Sequence, residues 1–200
     1  MSDLDPTDPD VNAYAYLTSI VVPRPIAWVS TLSAEGAGNL APHSFFTVVC
    51  ADPPIVAFAS IGRKDTLRNV LETREFTVSM ATEPLMEHVN DTSAPFDHGV
   101  DEAEQVGLSM APSARVAPPR VAESPAALEC RLHSTVDLGS SVLVLGEVVS
   151  IHVDDAVVAD RYPDFARMAP VARLGGPLWS LPGEVVSRQR PQSPDDVAAR

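Results

Sequence analysis

Residues 126–153 have the sequence AALECRLHSTVDLGSSVLVLGEVVSIHV, and this stretch decides the fold class. It contains two runs of strand-forming residues, 126–136 and 141–153, and the first alternates apolar and polar side chains from Leu128 to Leu132. The four residues between the runs, Asp137-Leu138-Gly139-Ser140, are typical of a hairpin connection. The pattern therefore predicts two long antiparallel strands joined by a tight turn.

Shorter strands are predicted on the N-terminal side of this hairpin. They lie at 25–31, 40–49, 55–60 and 75–81, separated by glycine-rich or proline-rich connections. Pro42 interrupts the second of these strands and predicts a bulge or an edge position there, because proline cannot donate to a sheet ladder. The successive strands therefore favour hairpin pairing.

Helical patterns are short and few. Leu67, Val70 and Leu71 are spaced as on one apolar helix face and predict a helix over Asp65–Thr73, and a second short helix is expected at 83–90. Residues 91–125 form a long polar connection that we expect to be an irregular functional loop. The chain contains no βαβ repeat and no GxGxxG motif. The prediction is a mainly β fold, an antiparallel barrel with a few short helices.

A chain of 200 residues has room for one domain of ordinary size. We expect a loose acidic arm at 1–15, a globular domain at 16–180 and a C-terminal tail at 181–200. The tail is rich in Pro, Arg, Asp and Ser, and its composition predicts poor order after residue 191.

Charge and hydropathy exclude several classes of function. The net charge of −13 argues against a nucleic acid or an anionic membrane surface as partner. No apolar run reaches the roughly 20 residues that cross a bilayer, and the acidic N-terminus is unlike a secretory signal. A cytoplasmic protein is expected, with Cys50 and Cys130 as reduced thiols.

The segment SIGRKDTLRN, residues 60–69, predicts an anion site. A strand ends at Ser60, a glycine permits a turn, Arg63 and Lys64 supply positive charge, and a helix begins whose free N–H groups attract anions. Thr66 adds a hydroxyl donor, and Lys64 is the chain's one lysine. Two alternatives stay open. Asp65 or Thr66 could simply cap the helix, and the two cations could be an ordinary solvated pair.

The segment NLAPHSFF, residues 39–46, is suited to a flat polar ring such as isoalloxazine. A strand broken near a proline leaves backbone donors and acceptors unused, and Ser44, Phe45 and Phe46 bring a hydroxyl and aromatic surface beside them. The alternative is that the phenylalanines belong to the core. Because neighbouring strand residues face opposite ways, at least one of them is expected there.

Taken in order, these blocks resemble the flavin-reductase-like, FMN-binding split-barrel family over about residues 16–180. The matching blocks are PRPIAWVST (23–31), NLAPHSFF (39–46), DPP (52–54), RKDT (63–66) and RLGG (173–176). The resemblance implies an antiparallel Greek-key split β-barrel that forms a homodimer with FMN bound at the interface.

The resemblance also implies which residues hold the cofactor. The implied phosphate ligands are Ser60, Arg63, Lys64 and Thr66. The implied flavin-lining residues are Ser30, Thr31, Asn39, Ala41, Pro42, His43, Ser44 and Phe45. Arg173 is expected to approach the cofactor late in the chain, from its own or the partner subunit. The family often has a tyrosine soon after this block, whereas this chain has Trp179, which keeps an aromatic surface there.

The implied function is a flavin reductase that transfers hydride from NADH or NADPH to FMN, with a monooxygenase as a partner for the reduced flavin. Such chemistry belongs to the cofactors, so no catalytic side chain is expected. The run Asp97-His98-Gly99-Val100-Asp101-Glu102 favours a solvated loop over a metal site. Two alternatives stay open: an FMN-carrying electron-transfer protein without NAD(P)H activity, and an FMN oxidase of the pyridoxamine-phosphate-oxidase type.

Overall fold

The computed structural model describes residues 3–198 and is dominated by antiparallel strands. The strands are β1 (Arg24–Pro25), β2 (Ala27–Leu32), β3 (Gly38–His43), β4 (Phe46–Ala51), β5 (Pro54–Ile61), β6 (Glu75–Met80), β7 (Met110–Ala111), β8 (Arg120–Val121), β9 (Ala126–Leu138), β10 (Ser141–Val153), β11 (Val158–Ala159), β12 (Tyr162–Pro163), β13 (Ala172–Arg173) and β14 (Trp179–Ser180). The helices are α1 (Ala13–Ile20), α2 (Asp65–Thr73), α3 (Met86–Asp91), α4 (Glu102–Gln105), α5 (Phe165–Met168) and α6 (Asp195–Ala198), with 3₁₀ turns at Glu83–Leu85 and Asp155–Val157.

The main sheet is a barrel closed by a very short crossover. Its seven strands lie in the order β3-β2-β6-β9-β10-β5-β4, so the strands at its two edges, β3 and β4, are consecutive in the chain. Only Ser44 and Phe45 separate them, and the Ala59 N–H of β5 donates to the Phe45 carbonyl at 2.9 Å. The sheet must therefore curl until its edges meet, and the predicted antiparallel split β-barrel is confirmed.

The long hairpin predicted at 126–153 is present as β9 and β10, with bulges beside Leu145 and Val148. Gly146 faces the core here. A Cβ built on it would lie 2.2 Å from Phe76 Cζ and 3.2 Å from Cys130 Cβ, so this position of β10 accepts glycine alone without movement of the core.

Alternate residues of β2 supply two apolar clusters. Val29 faces the barrel interior, where Phe58 and Phe76 meet edge to face with ring centroids 5.5 Å apart. Trp28 faces outward and donates from Nε1 to Thr92 Oγ1 at 2.9 Å. The inner cluster also contains Ala27, Val56, Leu67, Val70, Val78, Cys130, Leu132, Val142 and Val144. The outer cluster attaches the segment after β6 to the barrel wall.

Two expectations are corrected in detail, and the edge position predicted for Pro42 is confirmed. The break in the second strand falls at residues 44–45, not at Pro42. Pro42 is tolerated inside β3 because β3 is an edge strand. The 91–125 connection contains α4, β7 and β8, and Val121 is completely buried against the barrel.

Short helices lie in both terminal segments. The N-terminal arm leads into α1, whose N-cap Asn12 accepts a hydrogen bond from the Ala15 N–H through Oδ1 at 3.0 Å. The tail includes one turn of helix, α6. The expectations for residues 1, 2, 199 and 200 lie outside the described residues. None of the described helices is long and apolar enough to cross a membrane.

Candidate functional site

A cleft of about 520 Å³ lies where the barrel closes. Its walls come from β3 and the 44–45 crossover, from the N-terminus of α2, and from the segment between α3 and α4. The lining residues are Tyr14, Asn39, Ala41, Pro42, His43, Ser44, Phe45, Ala59, Ile61, Lys64, Asp65, Thr66, Thr92, Ser93, Ala94, Pro95, Phe96, His98 and Glu102. The cleft therefore brings together the two segments that the sequence singled out, 39–46 and 60–69.

The N-terminus of α2 supplies the positive end of the cleft. Lys64 is the N-cap residue and makes no side-chain capping bond, so the caps considered from the sequence, Asp65 and Thr66, are not used. Without such a cap the first N–H groups of the helix lack an intrahelical acceptor. The helix dipole and the Lys64 ammonium together favour an anion at this end of the cleft.

A buried network fixes Thr66 in place. Asn39 donates from Nδ2 to Thr66 Oγ1 at 3.0 Å and to Thr31 Oγ1 at 3.2 Å. Asn69 of α2 donates to the same Thr31 hydroxyl at 3.0 Å. Thr31 is completely buried and does not line the cleft. Of the predicted site residues, Asn39 and Thr66 thus face the cleft, while Thr31 supports them from behind.

His43 lies at the floor of the cleft with its ring centroid 4.7 Å from that of Phe58. Burial lowers the pKa of His43 to about 4, a hydrogen bond with the Ala59 backbone opposes this, and the nearby Lys64 charge adds to the lowering. The imidazole is therefore neutral at pH 7. Its Nε2 atom is buried and lacks a hydrogen-bond partner within the described residues.

Two carboxylates that line the cleft, Glu102 of α4 and Asp65 at the start of α2, were not singled out from the sequence as members of the site. Glu102 accepts a hydrogen bond from the Leu40 N–H at 2.7 Å, and burial raises the pKa of its carboxyl above the ordinary value. Asp65 lies 2.8 Å from His98 Nδ1 and 3.1 Å from Arg68 Nη1. Partial burial opposes ionisation of Asp65, but the bonds from His98 and the Gly99 N–H outweigh it and its pKa is lowered.

These contacts attach the long connection to the barrel. Glu102 pairs with the edge of β3, and Asp65 at the start of α2 holds His98. The acidic run at 97–102 is visible in the sequence. Its contacts with β3 and α2 are seen only in the folded chain. Within residues 3–198 no group of three or more His, Cys, Asp or Glu side chains is arranged to hold a metal ion.

Besides Thr31 and Arg173, three residues implied by the resemblance lie outside the cleft. Ser60 is buried and donates to the Gly62 carbonyl at 3.2 Å. The Arg63 side chain is 76% exposed and its nearest carboxylate is Asp137, at 4.0 Å. Ser30 is buried and lines a separate hollow beside Gly38. The left-handed turn at Gly62, with φ of +73°, precedes both cations. After this turn Lys64 lines the cleft, whereas Arg63 lines a separate surface pocket beside α2.

Arg173 lies in a second pocket that adjoins the cleft. This pocket has a volume of about 260 Å³ and shares Tyr14, Pro42, Ser44 and Ser93 with the larger one. The Arg173 guanidinium lies 4.8 Å from the centroid of the Trp179 ring, and its Nη2 donates to the Gly176 carbonyl at 2.7 Å. The structure thus places Arg173 beside the crossover and not at the α2 N-terminus.

Comparison with known proteins identifies one family. The family described as "Flavin reductase like domain" matches residues 19–167. An uncharacterised protein of Deinococcus radiodurans is 41% identical over 180 residues, which is 84% of this chain and 79% of that protein.

Two solved structures are similar over nearly their whole length. The structure of nitrilotriacetate monooxygenase component B from Bacillus cereus has a TM-score of 0.90 and 30% identity, covering 94% of this chain and 98% of that one. The structure of the 2-nitrobenzoate 2-nitroreductase NbaA from Pseudomonas fluorescens has a TM-score of 0.87 and 31% identity, covering 96% of this chain and 97% of that one. With the cleft at the barrel closure and the match over residues 19–167, the chain belongs to the family of flavin reductase like domains.

Proposed function

We propose that this protein is an FMN reductase that uses NADH or NADPH as hydride donor. The observation that carries the proposal is the composition of the cleft. The uncapped N-terminus of α2, which favours anions, and the edge strand β3, which offers apolar and polar surface, line the same cleft of about 520 Å³. A flavin mononucleotide has the matching chemistry, since it carries a phosphate at one end and a flat ring at the other.

The residues present fit this cofactor. Lys64 and Thr66 would hold the phosphate, through a charge-assisted contact and a hydroxyl. The segment from Ala41 to Phe45 would lie along the ring, and the unpartnered Nε2 of His43 offers a polar contact there. When bound, FMN supplies the hydride-accepting chemistry. Arg63 and Ser60 would act only indirectly, through charge at a distance and through the shape of the turn.

The protein's own groups would orient the cofactor and limit access of water. Phe45 and Phe96 line the cleft with aromatic surface. The contact between His98 and Asp65 holds the connection between α3 and α4 against α2. His43 is neutral at pH 7 because of its lowered pKa, so it adds no positive charge beside the ring. The proposal needs no side-chain nucleophile or general base.

We also propose that the chain forms a homodimer, as its resemblance to the family implies. Several apolar side chains are strongly exposed in the single chain, among them Ile20 at 72%, Val48 at 70% and Ile151 at 66%. Apolar surface of this kind is commonly covered in an assembly. Light scattering behind a size-exclusion column is expected to give twice the 21.3 kDa mass of the chain. A mass of one chain at micromolar concentration would contradict the dimer.

A monooxygenase that consumes reduced flavin is the partner we propose. The structural neighbour from Bacillus cereus is component B of a nitrilotriacetate monooxygenase, which supports such a role for this chain. The strongly acidic surface, with a net charge of −13, favours a partner with a basic docking face.

The deciding experiment is anaerobic reduction of the FMN-loaded protein, followed through the visible absorption of the flavin. Addition of NADH or NADPH is expected to bleach this absorption, and the faster of the two identifies the donor. Bound flavin that neither nucleotide bleaches would contradict the reductase. Reduction by a protein donor alone would then favour an electron carrier, and reduction by an amine substrate would favour an oxidase.

A further inference from the structure

Arg24, Arg173 and Trp179 form one row across the small sheet of β1, β13 and β14. Arg24 lies directly opposite Arg173 in the register, and Arg173 lies directly opposite Trp179. Side chains directly opposite each other on antiparallel strands project to the same face, with Cβ atoms about 4.5–5.5 Å apart. All three residues line the 260 Å³ pocket beside the cleft.

The two guanidinium groups have no carboxylate partner. Among the described residues 3–198, no Asp or Glu lies within 4.0 Å of either arginine, although the chain carries 27 acidic residues. Like charges directly opposite each other destabilise a sheet. Two cations on one face of the sheet, in an acidic protein, are therefore the arrangement expected of an anion site.

Arg24 retains unused donors although it is only 7% exposed. Its Nη1 donates to the carbonyls of Thr18 and Val21, and Nη2 donates to the Leu174 carbonyl at 2.9 Å. Its Nε is buried and lacks a partner within the described residues. A buried N–H without an acceptor is unfavourable, because it has given up its hydrogen bond to water and gained none in return. A planar oxyanion in the pocket would satisfy it, since the Nε and Nη2 edge of a guanidinium matches a carboxylate in two parallel hydrogen bonds.

The rest of the pocket suits a small organic group. Ile26, Val89 and the Trp179 indole supply apolar surface, and Asn90 and Ser93 supply polar contacts. Its volume of about 260 Å³ lies just below the usual range of small-molecule sites, roughly 300–1,000 Å³. A single aromatic or short aliphatic acid fits this description better than a dinucleotide.

We propose that this pocket is a carboxylate subsite that binds a small organic acid through Arg24 and Arg173. Pro42 and Ser44 form a common wall with the cleft, and the Arg24 guanidinium lies 5.9 Å from the centroid of the Phe45 ring. An acid bound here would therefore lie beside the flavin ring, a placement that rests on the proposed function. The bound acid is then a substrate or a regulator of the same site.

The test is calorimetric titration of the full chain with benzoate, first without FMN and then saturated with it. Benzoate is expected to bind saturably, while the neutral isostere benzamide binds much more weakly. Arg173→Met keeps an unbranched apolar side chain beside Trp179 but removes the charge, and it is expected to weaken benzoate binding about ten- to a hundredfold. Arg167→Met is the matched control, because the Arg167 side chain is exposed and, among the described residues, bonds only to the Val158 carbonyl.

Trp179 provides a second measurement. Quenching of its fluorescence by benzoate is expected in the parent and in Arg167→Met, and is expected to disappear in Arg173→Met. Arg24→Lys retains the charge but lacks the planar guanidinium with its parallel N–H donors, and it is expected to bind benzoate less tightly than the parent. If that variant does not fold, the Arg173→Met and Arg167→Met pair still decides the question.

Three results would overturn the proposal. Benzoate could bind no better than benzamide, or equally well to Arg173→Met and Arg167→Met. ADP could instead bind in an Arg173-dependent manner while benzoate does not, which would assign the pocket to a diphosphate. A separate absorbance titration with FMN distinguishes failure of the proposed function: benzoate binding by a chain that takes up no FMN supports the subsite and contradicts only the flavin assignment.

Discussion

At the scale of single residues, the two consecutive cations of the 60–69 segment have different surroundings. Lys64 lines the cleft and is the N-cap of α2, whereas Arg63 is 76% exposed near Asp137. The sequence identified the pair as an anion site, but the direction of each side chain depends on the turn at Gly62. Composition and spacing cannot resolve such a turn, so the sequence did not distinguish the two roles.

Replacement of Lys64 by alanine is expected to weaken FMN binding by one to two orders of magnitude, on the order of 1.5–3 kcal/mol for a charge-assisted contact. Arg63→Ala is expected to weaken it far less, because an exposed charge is screened by solvent. Arg188→Ala, in the exposed tail, controls for the change in net charge. Equal FMN affinity of Lys64→Ala and the parent in equilibrium dialysis would exclude this anion site.

His43 makes folding stability dependent on pH. Its pKa is about 4 in the folded chain and near 6.5 in the unfolded chain, so the unfolded chain takes up a proton first as the pH falls. The stability due to neutral His43 is present above pH 6.5 and is lost as the pH falls towards 4. We expect a loss of about 2 kcal/mol, below the roughly 3 kcal/mol of a fully enclosed group, because part of the side chain faces the cleft.

The measurement is urea unfolding at pH 7 and at pH 4.5. His43→Gln should remove this part of the pH dependence, and His133→Gln, an exposed histidine, should leave it unchanged. If parent and His43→Gln lose the same free energy of unfolding between the two pH values, His43 is not the group responsible.

At the scale of elements, the helix predicted over Asp65–Thr73 is present with the same bounds, because its apolar spacing is strong and Gly62 separates it from β5. The 91–125 connection was not predicted in the same detail. Its elements α4, β7 and β8 are only two to four residues long, and they depend on contacts with distant strands, such as the bond from the Leu40 N–H to Glu102. Local propensity contains little information about elements of that kind.

The network beneath α2 is expected to be an important stabilising feature of the site. Thr31→Val keeps the shape of the side chain but removes the acceptor of Asn69 Nδ2 and one acceptor of Asn39 Nδ2. A buried donor left without a partner costs about 1–3 kcal/mol, so the free energy of unfolding should fall by that amount. Thr47→Val on the exposed strand β4 is the matched control. Equal urea midpoints for the two variants would show that the network contributes nothing.

At the scale of the whole molecule, the hairpin order of the strands was predictable, but closure of the sheet was not predictable from the pattern of strands alone. Closure depends on the two-residue crossover at Ser44 and Phe45, which joins opposite edges of the sheet. The resemblance to the split-barrel family supplied that architecture. Closure also creates the site, because it brings the 39–46 and 60–69 segments to one cleft and places the Arg24 and Arg173 pocket beside it.

FMN is proposed to bind in this cleft with its phosphate at the N-terminus of α2. The most direct measurement is a calorimetric titration of the purified full chain with FMN and, separately, with riboflavin, which lacks only the phosphate. We predict one FMN bound per chain, with an affinity at least about tenfold higher than that for riboflavin, as a charge-assisted phosphate contact requires. The absence of saturable FMN binding would contradict the flavin site, and equal affinities for the two flavins would contradict a phosphate contact at the N-terminus of α2.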